Sequence, residues 1–463
     1  METILTNVVA FVNDILWNKY LLLLFLLLGS GVFFTVRTNF VQVRKFGEGM
    51  RLVFGNISLK GKAAGKDGMS SFQALATAIA AQVGTGNIAG CASALVSGGP
   101  GAVFWMWVSA FFGMATIYGE AVLAQKYKTV GEDGAVSGGP IYYIKAAFKG
   151  KLGTFMAGFF AVAIILALGF MGNMVQSNSI GDAFFTAFGV PKLAMGIAVS
   201  AVSAFIFLGG VKRIAAITEK LVPIMAIFYI CGSLIAIGMN AENILPALKS
   251  VFVGAFTPEA VMGGAIGISI KEAVRFGVAR GLFSNEAGMG STPHAHAMAK
   301  VTKPQDQGAV AMVGVFIDTF IVLTMTALVI LTSGMLGTTG ADGEMLTATA
   351  LAQAAFNNAF GTFGNAFVAV CLLFFAFSTI IGWYFFGEAN VKALFGGSKK
   401  ATAIYGIIAL VFIVVGSFQK VGLVWDMSDM FNGLMVIPNL LACLALSGIV
   451  AKFAKDDNYL GDI

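Results

Sequence analysis

Val83-Gly84-Thr85-Gly86-Asn87 interrupts an apolar segment that runs from residue 69 to residue 95. Two glycines, a threonine and an asparagine weaken a helix at a depth where a bilayer has no water to replace lost hydrogen bonds. The carbonyls and N–H groups freed there must be satisfied by other protein groups, by ions or by a small ligand. A plain kink, or a glycine notch for helix packing, is the simpler reading of the same five residues.

The surrounding chain decides the setting. Its 463 residues have a mean hydropathy of +0.86, and only 11% are charged, against about a quarter in soluble domains. Eleven apolar spans follow, since one crossing takes about 20 residues. They are 17–36, 69–95, 102–125, 152–187, 192–210, 215–239, a seventh within 240–303, then 308–336, 362–386, 401–417 and 424–450. The expected fold class is an all-α integral membrane protein with 11 transmembrane helices embedded in a lipid bilayer.

Other classes fall away. The net charge of +6 comes from loop lysines and arginines, which set orientation and do not form a nucleic-acid patch. Cys91, Cys231, Cys371 and Cys443 each fall inside an expected span, so no disulfide framework or Cys/His metal site is expected. No Walker loop, dinucleotide fingerprint or nucleophile–base pair is present, which argues against an enzyme, an ATP-driven pump and any organic cofactor. No loop is long enough to be a sensor's output domain.

Basic residues alternate between loops. Arg37, Arg44, Lys45, Arg51, Lys60, Lys62 and Lys66 follow span 1, and Lys126, Lys128, Lys145 and Lys149 follow span 3. The opposite loops hold little beyond Lys192, Lys249 and Lys420. The positive-inside rule then puts the N-terminus outside and the C-terminus in the cytoplasm.

Setting span 1 aside leaves two sets of five. The first begins inside and the second outside, and each has a long second-to-third connection. That is the pattern of an inverted repeat, which predicts a broken helix at the same place in each half. The divisions are 1–66 for the extra helix and basic loop, 67–239 and 240–455 for the two halves, and 456–463 for a cytoplasmic tail. The partner break is placed at Phe283-Ser284-Asn285-Glu286-Ala287-Gly288-Met289-Gly290-Ser291, with an outer half near 267–282 and an inner half near 292–301. Lys271, Glu272, Arg275 and Arg280 would face an outer vestibule, and 243–256 would be an external surface helix. A rival break lies at Gly263-Gly264.

At a helix break, carbonyls end one half and N–H groups begin the other, so a cation and an anion can bind side by side. Sodium and a carboxylate fit those two ends. Gln176, with Asn173 on the same face of span 4, is costly in lipid and needs a ligand or a neighbouring helix. Ser378 and Thr379 in span 9 can turn oxygens to a hard cation or bond their own preceding carbonyls. Glu286 reads as a buried acid that pairs with Arg280 or carries a proton. His294 and His296 read as solvated residues near the inner surface.

Gly98-Gly99-Pro100-Gly101-Ala102, Phe104-Trp105-Met106-Trp107 and Gly113-Met114-Ala115 resemble the signature of the alanine or glycine:cation symporters. Arg280-Gly281-Leu282-Phe283-Ser284-Asn285-Glu286-Ala287-Gly288 and Ala295-His296-Ala297 match it too. The resemblance covers nearly the whole chain. It implies a LeuT-like 5+5 inverted repeat with one extra N-terminal helix, and a sodium-coupled importer of a small neutral amino acid, alanine or glycine, in a prokaryotic inner membrane. Val83 to Asn87 also resembles the first core helix of LeuT-type symporters. By that resemblance Ala80 and Val83 give carbonyls, and Ser378 and Thr379 hydroxyls, to one sodium ion. Gly84, Thr85 and Gly86 meet the substrate carboxylate. Asn87 falls where those proteins place a second sodium ligand, although Gln82 replaces a small residue beside it. Gln176 takes the place of a substrate-contacting tyrosine, and Phe283, Ser284 and Asn285 complete the pocket. Proton coupling through Glu286, or a larger substrate such as glutamine or serine, is the alternative.

Overall fold

The computed structural model describes residues 2–55, 68–130, 136–257, 269–340, 343–419 and 421–460. Nearly all of them are helical; a two-residue hairpin, Thr129–Val130 with Val136–Ser137, forms the only strand pair among the described residues. The main helices are α1 (Glu2–Asn13), α2 (Leu22–Arg37), α3 (Ser71–Gln82), α4 (Gly86–Gly98), α5 (Gly101–Lys126), α6 (Gly150–Phe188), α7 (Lys192–Phe207), α8 (Gly210–Met239) and α9 (Ile244–Phe256). The second half supplies α10 (Ile270–Asn285), α11 (Pro293–Met298), α12 (Pro304–Ser333), α13 (Ala348–Phe360), α14 (Phe363–Leu394), α15 (Lys399–Gly416), α16 (Val421–Ala445) and α17 (Ser447–Lys455).

Among the described residues, eight helices are long and apolar enough to cross a bilayer, and nine spans result if the bent pair α3 and α4 counts as one. The other two expected spans fall short by length or polarity. Helix α7 has 16 residues, and the seventh span is split into α10 and the six-residue α11. The helix expected over 243–256 is α9.

Two breaks organise the centre. Helix α3 opens with a capping box between Ser70 and Gln73. It stops where Val83 turns extended, and the chain resumes as α4 at an angle of 47°. Helix α10 opens with the same device, Ser269 with Glu272, and ends at Glu286 in the left-handed region, φ +59°. A parallel bridge between Met69 and Ala299 ties the start of α3 to the end of α11. At the other end, Gly98 of α4 lies against the Glu272 carbonyl, and Gly277 of α10 lies against Ala102. The two broken segments therefore run antiparallel side by side, with their breaks at one level. The second break is close to where the sequence put it; Lys60, Lys62, Lys66, Lys420 and the rival Gly263-Gly264 lie outside the described residues.

Three expectations need correction. The chain is already helical from Glu2, well before the expected start of span 1 at Trp17. Asn13 donates to the Asp426 carbonyl and Trp17 to the Asp429 carbonyl, so α1 is held against α16. Span 11 does not run unbroken to residue 450: Leu446 ends it, and α17 turns aside as a separate amphipathic helix. Val450, Phe453 and Ala454 of α17 face inward while Lys452 and Lys455 stay in solvent, which an apolar crossing could not provide. Arg280 does not pair with Glu286. It makes a two-pronged ion pair with Asp429, at 2.7 and 2.8 Å.

Candidate functional site

Helix α14 comes close to α3 because small residues meet there: a Cβ on Gly382 would lie 3.0 Å from that of Ala81. This approach brings Ser378 and Thr379 to the carbonyl end of α3. Thr379 Oγ1 lies 3.0 Å from the Ala80 carbonyl oxygen and 3.4 Å from that of Val83, and Ser378 Oγ lies 3.3 Å from Ala80. Both hydroxyls also reach the Phe375 carbonyl of their own helix, at 2.8 and 3.0 Å. The helix-internal bond and the interhelical convergence thus coexist. Four oxygens from two helices converge on one point, and oxygen is the donor a hard cation prefers.

Gly84 is required by space. A Cβ there would sit 2.3 Å from Thr379 Oγ1 and 3.0 Å from Gln176 Oε1. The two amides beyond the break are already engaged. Gly84 donates to Asn87 Oδ1 at 2.9 Å and Thr85 to Gln176 Oε1 at 3.0 Å. Gln176 therefore spends its oxygen on the break and turns its NH2 away. Among the described residues that NH2 and the Thr85 hydroxyl have no hydrogen-bond partner, although both residues are fully buried. Leaving such donors unmet costs about 1–3 kcal/mol each. Asn173 turns its NH2 back to the Gly169 carbonyl of its own helix, and its side-chain oxygen has no partner among the described residues.

The second break faces the first. The Phe283 ring lies on Gly86, 3.1 Å from where a Cβ would be. It packs edge-on to Trp383 at 5.5 Å and against Trp425 at 4.7 Å. Arg280 lies over the Trp425 ring, and its pair with Asp429 closes that side. Trp383 in turn packs on Gly172, where a Cβ would be 2.4 Å away. Asn285 is committed to structure: its carbonyl accepts from Gln82 at 2.7 Å, its side-chain oxygen accepts from Ala287, and its NH2 reaches Thr319.

Three buried acids hold the two breaks. Asp318 of α12 was not singled out from the sequence, and it links them. Asn87 donates to it at 2.6 Å, Ser284 at 3.0 and 3.1 Å, and Thr319 at 2.8 Å. A lone acid inside an apolar span was the available signal. Glu120 of α5 accepts from the Gly288 and Gly290 amides, both at 2.9 Å, and from Asn439 of α16 at 2.6 Å. Both glycines are left-handed, with φ +92° and +77°. Glu286 accepts from the Trp383 indole at 2.5 Å and from Ser291. His294 and His296 are buried rather than solvated. His294 bonds the Ser291 carbonyl and Asn390, and His296 bonds Gln307, because α11 is packed inside the bundle.

The model of the sodium:alanine symporter family matches residues 1–460 of the chain. The chain belongs to that family. It is 42% identical to the sodium/alanine symporter AgcS of Methanococcus maripaludis over 98% of this chain and 97% of that one. It is also 42% identical to a Bacillus subtilis protein named "Probable sodium/glutamine symporter GlnT", over 98% of this chain and 91% of that one. Among solved structures it resembles MhsT in complex with L-phenylalanine, with a TM-score of 0.58 at 15% identity, over 84% of this chain and 98% of that one. It also resembles the Eremococcus coleocola manganese transporter, with a TM-score of 0.52 at 14% identity, over 86% and 82%. At such identity the likeness speaks for the fold, which is LeuT-like. The chain is a multi-pass cation-coupled amino-acid symporter and not an enzyme.

Proposed function

We propose that the chain imports a small neutral amino acid, alanine or glycine, with sodium, by alternating access in a prokaryotic inner membrane. The observation that carries the reading is the convergence of four oxygens, from Ala80, Val83, Ser378 and Thr379, beside buried donors with no partner. Sodium would take the carbonyl end of α3 and draw α14 against it. The substrate carboxylate would meet Gln176 Nε2, the Thr85 hydroxyl and the Gly86 end of α4. The ammonium group would meet carbonyls of the second break near Ser284 and Asn285. The apolar wall of Phe283, Trp383 and Trp425 favours the small side chain of alanine or glycine over glutamine or serine. Relatives named for alanine and for glutamine are equally identical to this chain, so the wall of the pocket is the better guide.

Coupling is by mass action. An ion that binds only the substrate-competent arrangement lends its gradient to uptake. Helix α7 and the pair α10 and α11 are read as the remaining two of eleven spans, in halves 67–239 and 240–455, with the N-terminus outside. A proton on Glu286 is the second reading, favoured by that acid's bond to Trp383 at the pocket wall.

The test is uptake of labelled alanine into proteoliposomes under an inward sodium gradient, with choline replacing sodium in a parallel arm. Uphill accumulation that vanishes in choline supports the reading. Accumulation that persists in choline and follows a proton gradient overturns it in favour of Glu286. Sodium-driven accumulation of labelled glutamine with none of labelled alanine would overturn the substrate assignment alone.

A further inference from the structure

The terminal helix α17 builds a second recognition surface, away from the transport site. A cavity of about 840 Å³ lies between the end of α2, the end of α16, α17 and the chain beyond it. Arg37, Lys452 and Lys455 line it, over a floor of Leu446, Ile449 and Ala451. Asp456 is the only acid in its lining.

The neighbouring cations are treated differently by the fold. Lys45 is paired with both Glu48 and Asp457. Arg44 donates to the carbonyls of Thr38, Asn39 and Ala454 and so staples α17 in place. Around the cavity, Arg37, Lys452 and Lys455 are exposed, and among the described residues none of the three has an ion pair. Asp456 turns an oxygen to the Asn458 amide. The Tyr459 ring stands on Phe453 and under the Lys452 ammonium, at 4.7 and 6.0 Å. The cavity thus presents three cations to one acid, on a frame held by independent contacts.

Its surroundings say what would fill it. Phe33 and Val36, in the last turn of α2 before Arg37, are exposed, and so is Leu441, one turn before the cavity on α16. Apolar surface of that kind on a membrane-spanning helix faces acyl chains. Cations at the end of such a surface meet the phosphate layer, where each basic residue is worth about 1 kcal/mol toward anionic lipid. We propose that this cavity is a binding site for the headgroup of an anionic phospholipid. Its phosphodiester sits among Arg37, Lys452 and Lys455, and its acyl chains run along α2 and α16. The assignment rests on the reading of this end as cytoplasmic, but not on the choice of amino acid or coupling ion.

The test is native mass spectrometry of the purified full chain with equal amounts of phosphatidylglycerol and phosphatidylcholine. The wild type should keep one phosphatidylglycerol more than the variant Arg37→Gln/Lys452→Gln/Lys455→Gln, and the charge-preserving Arg37→Lys/Lys452→Arg/Lys455→Arg should keep it as the wild type does. Millimolar inorganic phosphate or glycerol phosphate should not displace it. Equal retention by wild type and Gln variant overturns the proposal, and displacement by free phosphate overturns the lipid as occupant. Should the triple Gln variant elute as aggregate, Arg37→Gln and Lys452→Gln are read singly. Each should lower the retained fraction at least threefold, and no loss in either refutes the site. Alanine uptake by the wild type is measured separately, so a failed lipid site and a failed transport assignment give different results.

Discussion

At the scale of the residue, the proposed sodium site can be separated from mere packing by magnitude. Side-chain hydrogen bonds inside membrane proteins average about 0.6 kcal/mol, so Ser378→Ala with Thr379→Ala should fold nearly as well as wild type. It also removes two of four converging oxygens. Half-maximal sodium for alanine uptake should rise at least tenfold, read from uptake rate against sodium concentration. An unchanged sodium dependence would dismiss the assignment. Asp318→Asn is a second case. The carboxylate accepts from Asn87, Ser284 and Thr319. An amide offers one acceptor oxygen instead of two, which leaves a buried donor unmet at about 1–3 kcal/mol. Uptake should fall at least tenfold while the amount of folded protein in the membrane stays within about twofold. Of these residues, Ser378, Thr379, Asn87 and Gln176 were legible as polar groups at membrane depth. Asp318 carried the same signal, but the partners that give it a role, Asn87 and Ser284, lie on other helices, which the sequence does not disclose.

At the scale of the element, the breaks are what the sequence marks best and explains least. Glycines and polar residues announced both. The reason the second break keeps its shape lies on other helices. Glu120 of α5 holds the Gly288 and Gly290 amides, and Asn439 of α16 bridges Glu120 to the Gly288 carbonyl. Glu120→Gln keeps one acceptor and turns an NH2 toward the other amide. The break should loosen without touching α3 or α14. The KM for alanine should rise about tenfold with half-maximal sodium unchanged. A loss of uptake at constant KM would mean that Glu120 serves folding only. Widened helical turns add a further element the sequence does not signal. Stretches Gly86–Gly90, Ile165–Gly172 and Phe316–Leu323 are π-helical; the first and third carry Asn87 and Asp318, and the second leads into Asn173. Such turns recur at functional sites because they re-aim side chains.

At the scale of the whole molecule, the described conformation is closed. Thr85, Asn87, Gln176, Ser284 and Asp318 are all fully buried. Transport needs this closure to yield on one side at a time. On the side proposed as outer, the cover is the stack of Phe283, Trp425 and the Arg280–Asp429 pair, steadied by Trp17 just beyond α1. Asp429→Ala should open it. In a Cys231→Ser background, a cysteine replacing Ser284 should then react at least five times faster with a membrane-impermeant thiol reagent added outside. An unchanged rate would place the outer closure elsewhere.

The sequence by itself determined the solvent and the secondary structure. Apolar runs of about 20 residues leave a chain no choice but helices across a bilayer, because every backbone polar group must be met within its own segment. It also determined that two of those helices are broken, since glycine and polar residues cannot sustain a ladder there. Only the tertiary structure decided which helix satisfies each break. Hydroxyls on α14 reach carbonyls on α3 nearly 300 residues away in the chain, and Asp318 joins Asn87 to Ser284. It also turned both histidines inward, gave Arg280 to Asp429, and laid α17 aside as a separate helix. Those pairings depend on close approach between small residues of different helices, a distance that periodicity and composition within one helix do not encode.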